Sequence, residues 1–238
     1  YVFSGSIPLF TDAFFETISG FTTTGASILN DIEGMPKGIL FWRSLTQWIG
    51  GMGIIVLTVA ILPILGIGGM QLFGAEAPGI SPDKLKPRIK DTAKRLWLIY
   101  FGYTAAETLL LSVAGMSFFD ALNHSMSTLS TGGFSTKNAS VSHWNDTPII
   151  QYIIILFMFL AGTNFVLSYF AFKGRISKIL QDEEFKLYFR FTIVFTLIVV
   201  SIIYTHSYLN DSIVFDHPLV LGSAEGSIRH ALFHVVAI

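Results

Sequence analysis

Two short stretches of this chain carry threonine, serine and glycine in the same order: Thr22-Thr23-Thr24-Gly25 and Ser130-Thr131-Gly132-Gly133. No side chain in them is a strong acid, a base or a soft metal ligand. The whole chain lacks cysteine, so disulfides and thiolate metal sites are excluded. What these residues offer is backbone. Glycine adopts positive φ at little cost, which allows successive carbonyls to be aimed inward, and a ring of carbonyls replaces the hydration shell of a potassium-type ion. On this reading Thr23, Thr24, Gly25, Thr131, Gly132 and Gly133 bind the ion through carbonyl oxygens, and the hydroxyls of Thr22 and Ser130 satisfy nearby backbone. With no charged ligand in either stretch, an ion that enters can also leave. A single such cluster is more simply an exposed loop, because turns favour the same residues.

Repetition removes that simpler reading. Laying Asp12 on Asp120 brings Ala13 onto Ala121, Ser19 onto Ser127, Thr23 onto Thr131 and Gly25 onto Gly133. Laying Ala121 on Ala231 brings Leu122 onto Leu232 and His124 onto His234. The copies lie about 108 to 110 residues apart, and a fixed period marks a repeated structural unit. Each cluster follows a short apolar segment, Ala13–Phe21 or Ala121–Leu129. Both are too short to cross a bilayer, which takes about 20 residues, so both are expected to be re-entrant helices. The negative end of each helix dipole then points at the cluster, and Asp12 and Asp120 sit at the favoured positive end.

The elements that must hold these segments are membrane spans. Only 13% of the 238 residues are charged and the mean hydropathy is +0.61, a composition that fits lipid better than water. The net charge of −1 leaves no basic excess for nucleic acid. Four segments are long and apolar enough to span: Ile39–Gly66, Leu96–Met116, Pro148–Phe172 and Phe185–Thr205. Basic residues concentrate in 67–95 (Lys84, Lys86, Arg88, Lys90, Lys94, Arg95) and in 173–190 (Lys173, Arg175, Lys178, Lys186, Arg190), whereas Lys37 and Lys137 are nearly alone on the opposite side. The positive-inside bias places the two basic loops in the cytoplasm, and both re-entrant segments then enter from outside. The composition of those loops is enough to set topology; the Pro- and Gly-broken run GAEAPGISPDKLKPR also suits a docking surface for a cytoplasmic regulator. The fold expected is an all-α membrane protein of repeated span, pore helix, filter loop and span. Residues 1–66 end a first unit, 67–95 form a loop, 96–172 make the second unit, 173–184 a second loop, and 185–238 begin a third. Ending inside an apolar helix at Ile238, the sequence reads as a fragment of a larger membrane protein.

Several polar residues fall inside the spans. Arg43, Gln47 and Asn164 are expected to brace the re-entrant loops, and Gly50, Gly51 and Gly53 to allow close helix approach. Glu107, midway along a span, is costly there; packing against a polar neighbour is the plainer explanation and a place on the ion path the sharper one. His230 and His234 share a helix face and, with His124 and Glu107, suggest a metal-dependent membrane enzyme. The repeat opposes it, since His230 aligns with Asp120 and His234 with His124 and Glu16. No catalytic residue and no cofactor is expected.

These residues also resemble a family. GFTTTGAS and STGGFS look like the pore loops of the Trk/Ktr/HKT superfamily of potassium transporters. FWRSLTQWIGGMGI (Phe41–Ile54) and LAGTNFVLSYF (Leu160–Phe170) are similar to span signatures of its bacterial TrkH branch. The resemblance implies four units around one pore, usually in a homodimer in the bacterial inner membrane. It also implies control by a cytoplasmic nucleotide-binding ring protein, TrkA. The family carries one filter glycine per unit, and relatives with serine in the first unit tend toward sodium; Gly25 and Gly133 match the glycine form. The family's gating loop in the third unit and its arginine in the fourth have no counterpart in this sequence. Channel-like potassium uptake is the function expected, with an ion-coupled potassium carrier as the alternative.

Overall fold

A computed structural model describes residues 1–61, 85–209 and 224–237. Among them the ordered elements are helical: α1 (Phe10–Phe21), α2 (Lys37–Ile61), α3 (Leu85–Val113), α4 (Phe118–Leu129), a 3-10 turn (Ser140–Trp144), α5 (Pro148–Ala161), α6 (Phe165–Phe172), α7 (Ile176–Gln181), α8 (Glu183–Leu209) and α9 (Ala224–Ala237). Most of the expected 67–95 loop and the end of the first span, 62–66, lie outside the described residues.

Length separates two classes. α2, α3 and α8 have 25, 29 and 27 residues; at 1.5 Å per residue each exceeds the ~30 Å hydrocarbon core. Within α3 and α8, Ala93–Val113 and Glu183–Ile203 are long and apolar enough to span. α1 and α4 have 12 residues each, about 18 Å, too short to cross. α4 starts where Ser117 accepts from the Asp120 amide at 3.1 Å and donates to the Asp120 carboxylate at 2.7 Å, a capping arrangement that satisfies an orphan donor.

The short helices sit inside a cradle of long ones. α1 packs on α2; α4 packs on α2, α3 and α5; α9 packs on α5 and α8. α2 therefore touches the pore helices of two successive units, and α5 does the same one unit later. Leu111, Met116, Ala121, Ile150 and Ile154 form one buried cluster joining α3, α4 and α5. Tyr100, Leu129, Phe157 and Ala161 form a second, against Trp48 and Phe165, where Tyr100 donates to the Trp48 carbonyl at 3.1 Å. Outside, α8 exposes Leu187, Phe189, Phe191, Val194, Phe195, Leu197 and Ile198. So large an apolar face suits lipid.

Two expectations are corrected. The continuous span Pro148–Phe172 is broken between α5 and α6. Gly162 caps α5, its amide bonded to the Met158 carbonyl at 2.9 Å, and the chain restarts as the Leu167 amide meets the Asn164 carbonyl at 2.8 Å. Gly162 is small for a reason: a Cβ there would lie 2.6 Å from the Tyr188 hydroxyl oxygen, and the Tyr188 ring stacks on Phe159 at 4.9 Å. Apolar residues on both sides hid this break from a hydropathy reading. The second correction is at the basic stretch, where helix begins at Leu85 rather than Leu96. Lys and Arg are good helix formers, and Pro87 falls in the first turn, where proline is tolerated.

Candidate functional site

Both pore helices end in the same way. The Thr23 amide bonds the Gly20 carbonyl and the Thr24 amide the Ser19 carbonyl, each at 3.0 Å; the Thr131 amide bonds Thr128 at 3.0 Å and the Gly132 amide bonds Ser127 at 2.9 Å. This is the paired pattern of a Schellman termination, which places its next residue in the left-handed region, usually glycine. Here that residue is threonine in both copies: Thr23 has φ +56° and Thr131 φ +55°. A β-branched residue with positive φ is a true outlier, costing on the order of 1–3 kcal/mol. Two residues on, Gly25 and Gly133 have φ +77° and +81°. The residues before the threonines, Thr22 and Ser130, are right-handed at φ −84° and −82°.

Peptide planarity turns these bonds into carbonyl directions. In a trans peptide the C=O opposes the N–H of the same unit. Since the amides of Thr23, Thr24, Thr131 and Gly132 point back into the helix ends, the carbonyls of Thr22, Thr23, Ser130 and Thr131 point away from them. The hydroxyls stay out of that direction. Thr22 Oγ1 donates to the Ile18 carbonyl at 2.7 Å and lies 2.8 Å from Thr24 Oγ1, while Ser130 Oγ donates to Ser127 at 3.1 Å. They add a second donor to carbonyls that already accept a backbone amide, Ile18 from Thr22 at 2.8 Å and Ser127 from Gly132 at 2.9 Å.

Beyond the glycines, each strand is tied to its own pore helix at one repeat position. In the first unit, Ser27 Oγ donates to Glu16 at 3.0 Å and the Ile28 amide at 3.2 Å. In the second, Ser135 Oγ lies 3.0 Å from His124 Nε2. His124 Nδ1 faces the Asp120 carbonyl at 2.8 Å; a carbonyl only accepts, so Nδ1 carries the hydrogen and Nε2 accepts from Ser135. Asp120 also receives Thr136 Oγ1 at 2.6 Å. Partial burial pushes its carboxyl upward, but the bonds from Thr136 and Ser117 and the nearby Lys137 charge hold it below its ordinary value.

Two side chains of α2 reach across both units. Arg43 Nε meets Glu16 at 2.8 Å, with side chains 1% and 0% exposed. Its Nη2 donates to Ser27 at 3.1 Å, its Nη1 approaches the Ser135 carbonyl at 3.5 Å, and the guanidinium lies 4.1 Å from the centre of the Phe134 ring. Gln47, fully buried, donates to the Gly132 carbonyl at 2.8 Å and accepts from Ser127 Oγ at 2.8 Å and from the Phe134 amide at 3.2 Å. The two strands also approach each other directly, since a Cβ at Gly25 would overlap the Gly132 carbonyl oxygen.

One unit later the pattern shifts to the next pore helix. Gln151 of α5, in register with Arg43, accepts from Arg229 of α9 and donates to Asn145 at 2.5 Å; Arg229 also pairs with Glu225 at 2.9 Å. Asn164 stands in the break between α5 and α6. Glu107 is fully buried on α3, both carboxyl oxygens without a hydrogen-bond partner of normal geometry, with Thr128 of α4 as its polar neighbour. His230 and His234 lie on α9, and among the described residues no group of His, Cys, Asp or Glu is placed to hold a metal ion. Sequence reasoning gave no bracing role to Glu16, Ser27, Ser135, Gln151 or Arg229. The signal for the first three was present: Glu16 and His124 occupy one repeat position, as do Ser27 and Ser135.

The same chain has clear relatives. The family model TrkH, a cation transport protein, matches residues 2–237. The Trk system potassium uptake protein TrkH of Salmonella typhimurium is 45% identical over 241 residues, covering 100% of this chain and 47% of that protein. The protein of the same name in Escherichia coli is 45% identical over 243 residues with the same coverage. The crystal structure of the potassium transporter TrkH from Vibrio parahaemolyticus superposes with a TM-score of 0.79 at 37% identity, over 95% of this chain and 43% of that one. The chain spans about half the length of the curated relatives it matches. Repeat, pore-helix termini and likeness agree: the chain belongs to the TrkH family of cation transport proteins.

Proposed function

We propose that this chain supplies two walls of a channel-like potassium uptake pore in the bacterial inner membrane. The observation that carries the reading is the repeated backbone: Thr23 with Gly25, and Thr131 with Gly133, take positive φ at the ends of two helices too short to span. Both strands aim carbonyls away from a helix C-terminus, whose partial negative charge favours a cation. Of the six expected ligand positions, Thr23, Thr24, Gly25, Thr131 and Gly133 are proposed, with Arg43 behind them; Gly132 is left out because its carbonyl accepts from Gln47. The complete pore takes four such units, of which this chain carries the end of one, the whole of a second and the start of a third. The basic segments face the cytoplasm, where a TrkA-type nucleotide-binding ring would dock on a homodimer. Nothing in this function requires a catalytic residue or a cofactor.

The alternative is a carrier that alternates access around broken helices and couples potassium to sodium or protons; such carriers more often bury carboxylates near the site. The filter stretches have none, and Glu107 lies behind the pore helix. Flux by the full-length protein in proteoliposomes separates the two: a pore only dissipates a rubidium gradient in either direction, whereas a carrier drives rubidium uphill on a sodium or proton gradient. In the same vesicles Gly25→Ser is expected to lower the preference for potassium over sodium. An unchanged preference would remove Gly25 from the filter.

A further inference from the structure

Gln47 does more than hold the second strand in place. The Phe134 amide can only donate, so it must face the side-chain oxygen of Gln47; the side-chain nitrogen then faces the Gly132 carbonyl, which can only accept. The observed distances, 3.2 Å and 2.8 Å, fit that orientation. Planarity extends the consequence along the strand. With the Phe134 amide turned toward Gln47, the Gly133 carbonyl in the same peptide unit turns the opposite way. Gly132 is itself fitted to the brace, because a Cβ there would strike the Gln47 carboxamide. Its carbonyl oxygen is also packed against Gly25 of the first strand.

We infer that Gln47 is a positioning residue for ion selectivity: it withholds the Gly132 carbonyl from the ion and turns the Gly133 carbonyl toward it. Of the three consecutive residues Thr131, Gly132 and Gly133, only the first and third then present oxygens to the pore. One unit later, on α5, the position in register with Gln47 is Ile155, whose side chain has no donor to offer the next strand's carbonyl. The ring of ligands is therefore not four-fold equivalent, and a residue of one unit's span decides which oxygens the next unit offers. This inference rests on the pore reading above.

The test needs no variant to begin. A structure of the full-length protein soaked in rubidium, located by anomalous scattering, is expected to show the ion beside the Thr131 and Gly133 carbonyls, with Gly132 still bonded to Gln47. A Gly132 carbonyl turned onto the ion and released from Gln47 overturns the inference and leaves the pore reading intact. Rubidium absent from both strands overturns the pore reading and the inference with it. Function gives a second measurement. Gln47→Met loses the donor to Gly132, while Ser127→Ala removes only a bond to the other end of the same amide. The potassium-to-sodium permeability ratio, measured per protein in proteoliposomes, is expected to fall roughly 2- to 10-fold in Gln47→Met, the loss of one ordinary hydrogen bond, and to stay near wild type in Ser127→Ala. Equal ratios in both variants, whether lowered or unchanged, mean that Gln47 is a brace alone.

Discussion

The two strands proposed as filter walls share a backbone and differ in what stands behind it. The first is held by a buried ion pair, Arg43 with Glu16, and by Ser27 between them. The second is held mainly by neutral groups, Gln47 on one side and His124 with Ser135 on the other, with Arg43 reaching it only at the Phe134 ring and, at 3.5 Å, at the Ser135 carbonyl. The repeated feature is thus the pattern of φ signs, whereas the bracing chemistry has drifted between copies. Backbone geometry is what a carbonyl site needs; a brace needs only complementary donors and acceptors at the right depth, which several residue types supply. Charge in the first brace brings a dependence the second lacks. Removing one member of a buried pair leaves the other charge uncompensated, whereas removing a neutral partner costs a desolvated hydrogen bond.

The largest expected effect tests that difference. Arg43→Met strands Glu16 and should destabilise the full-length protein by about 3–5 kcal/mol, read as lost folded protein in detergent by thermal denaturation. Adding Glu16→Gln to Arg43→Met should recover part of the loss, because the buried charge is then gone. Gln47→Met, on the neutral side, should cost less, about 1–3 kcal/mol. If the two single variants proved equal, the contrast between charged and neutral braces would be wrong.

Next in size are the glycines. Gly25→Ala and Gly133→Ala both force alanine into the left-handed region, worth roughly 1–2 kcal/mol. Only Gly25 also has its Cβ position occupied, by the carbonyl oxygen of Gly132, while a Cβ at Gly133 meets nothing within 4 Å. Gly25→Ala is therefore expected to abolish rubidium uptake and Gly133→Ala to reduce it. Equal losses would mean that φ alone governs both positions.

How much of this was legible in the sequence follows from the same contrast. Local chemistry was readable: helices ending at Phe21 and Leu129, left-handed glycines at 25 and 133, and a period joining them. The left-handed threonines were not, because β-branched residues argue against positive φ and only the two terminal hydrogen bonds impose it. Gln47 could be flagged as a polar group in a span, but not assigned to the second strand, since its partners lie 80 to 87 residues away in the chain. The break at Gly162 was hidden for a related reason: it answers to Tyr188 on another helix, and its local mark, Gly162-Thr163-Asn164, is short and set between two long apolar runs.

The smallest expected effect concerns the outer end of the second unit, where a charge does appear. Asp120 caps the start of α4 through Ser117 and anchors the descending strand through Thr136, and its carboxyl lies below its ordinary value. A depressed carboxyl gives stability that is complete above the unfolded value, near pH 4, and is lost as pH falls through the lower folded value. Asp120→Asn should therefore melt below wild type at neutral pH, and the gap should close as pH drops below about 4. The first unit supplies the control. Asp12 occupies the matching position, but no side-chain bond ties it to its strand among the described residues, where Glu16 takes that part instead. Asp12→Asn should accordingly lower melting at neutral pH less than Asp120→Asn does. A pH-dependent loss of equal size in Asp12→Asn would show that the carboxylate acts through the helix dipole at both positions, and that the bond to Thr136 adds nothing.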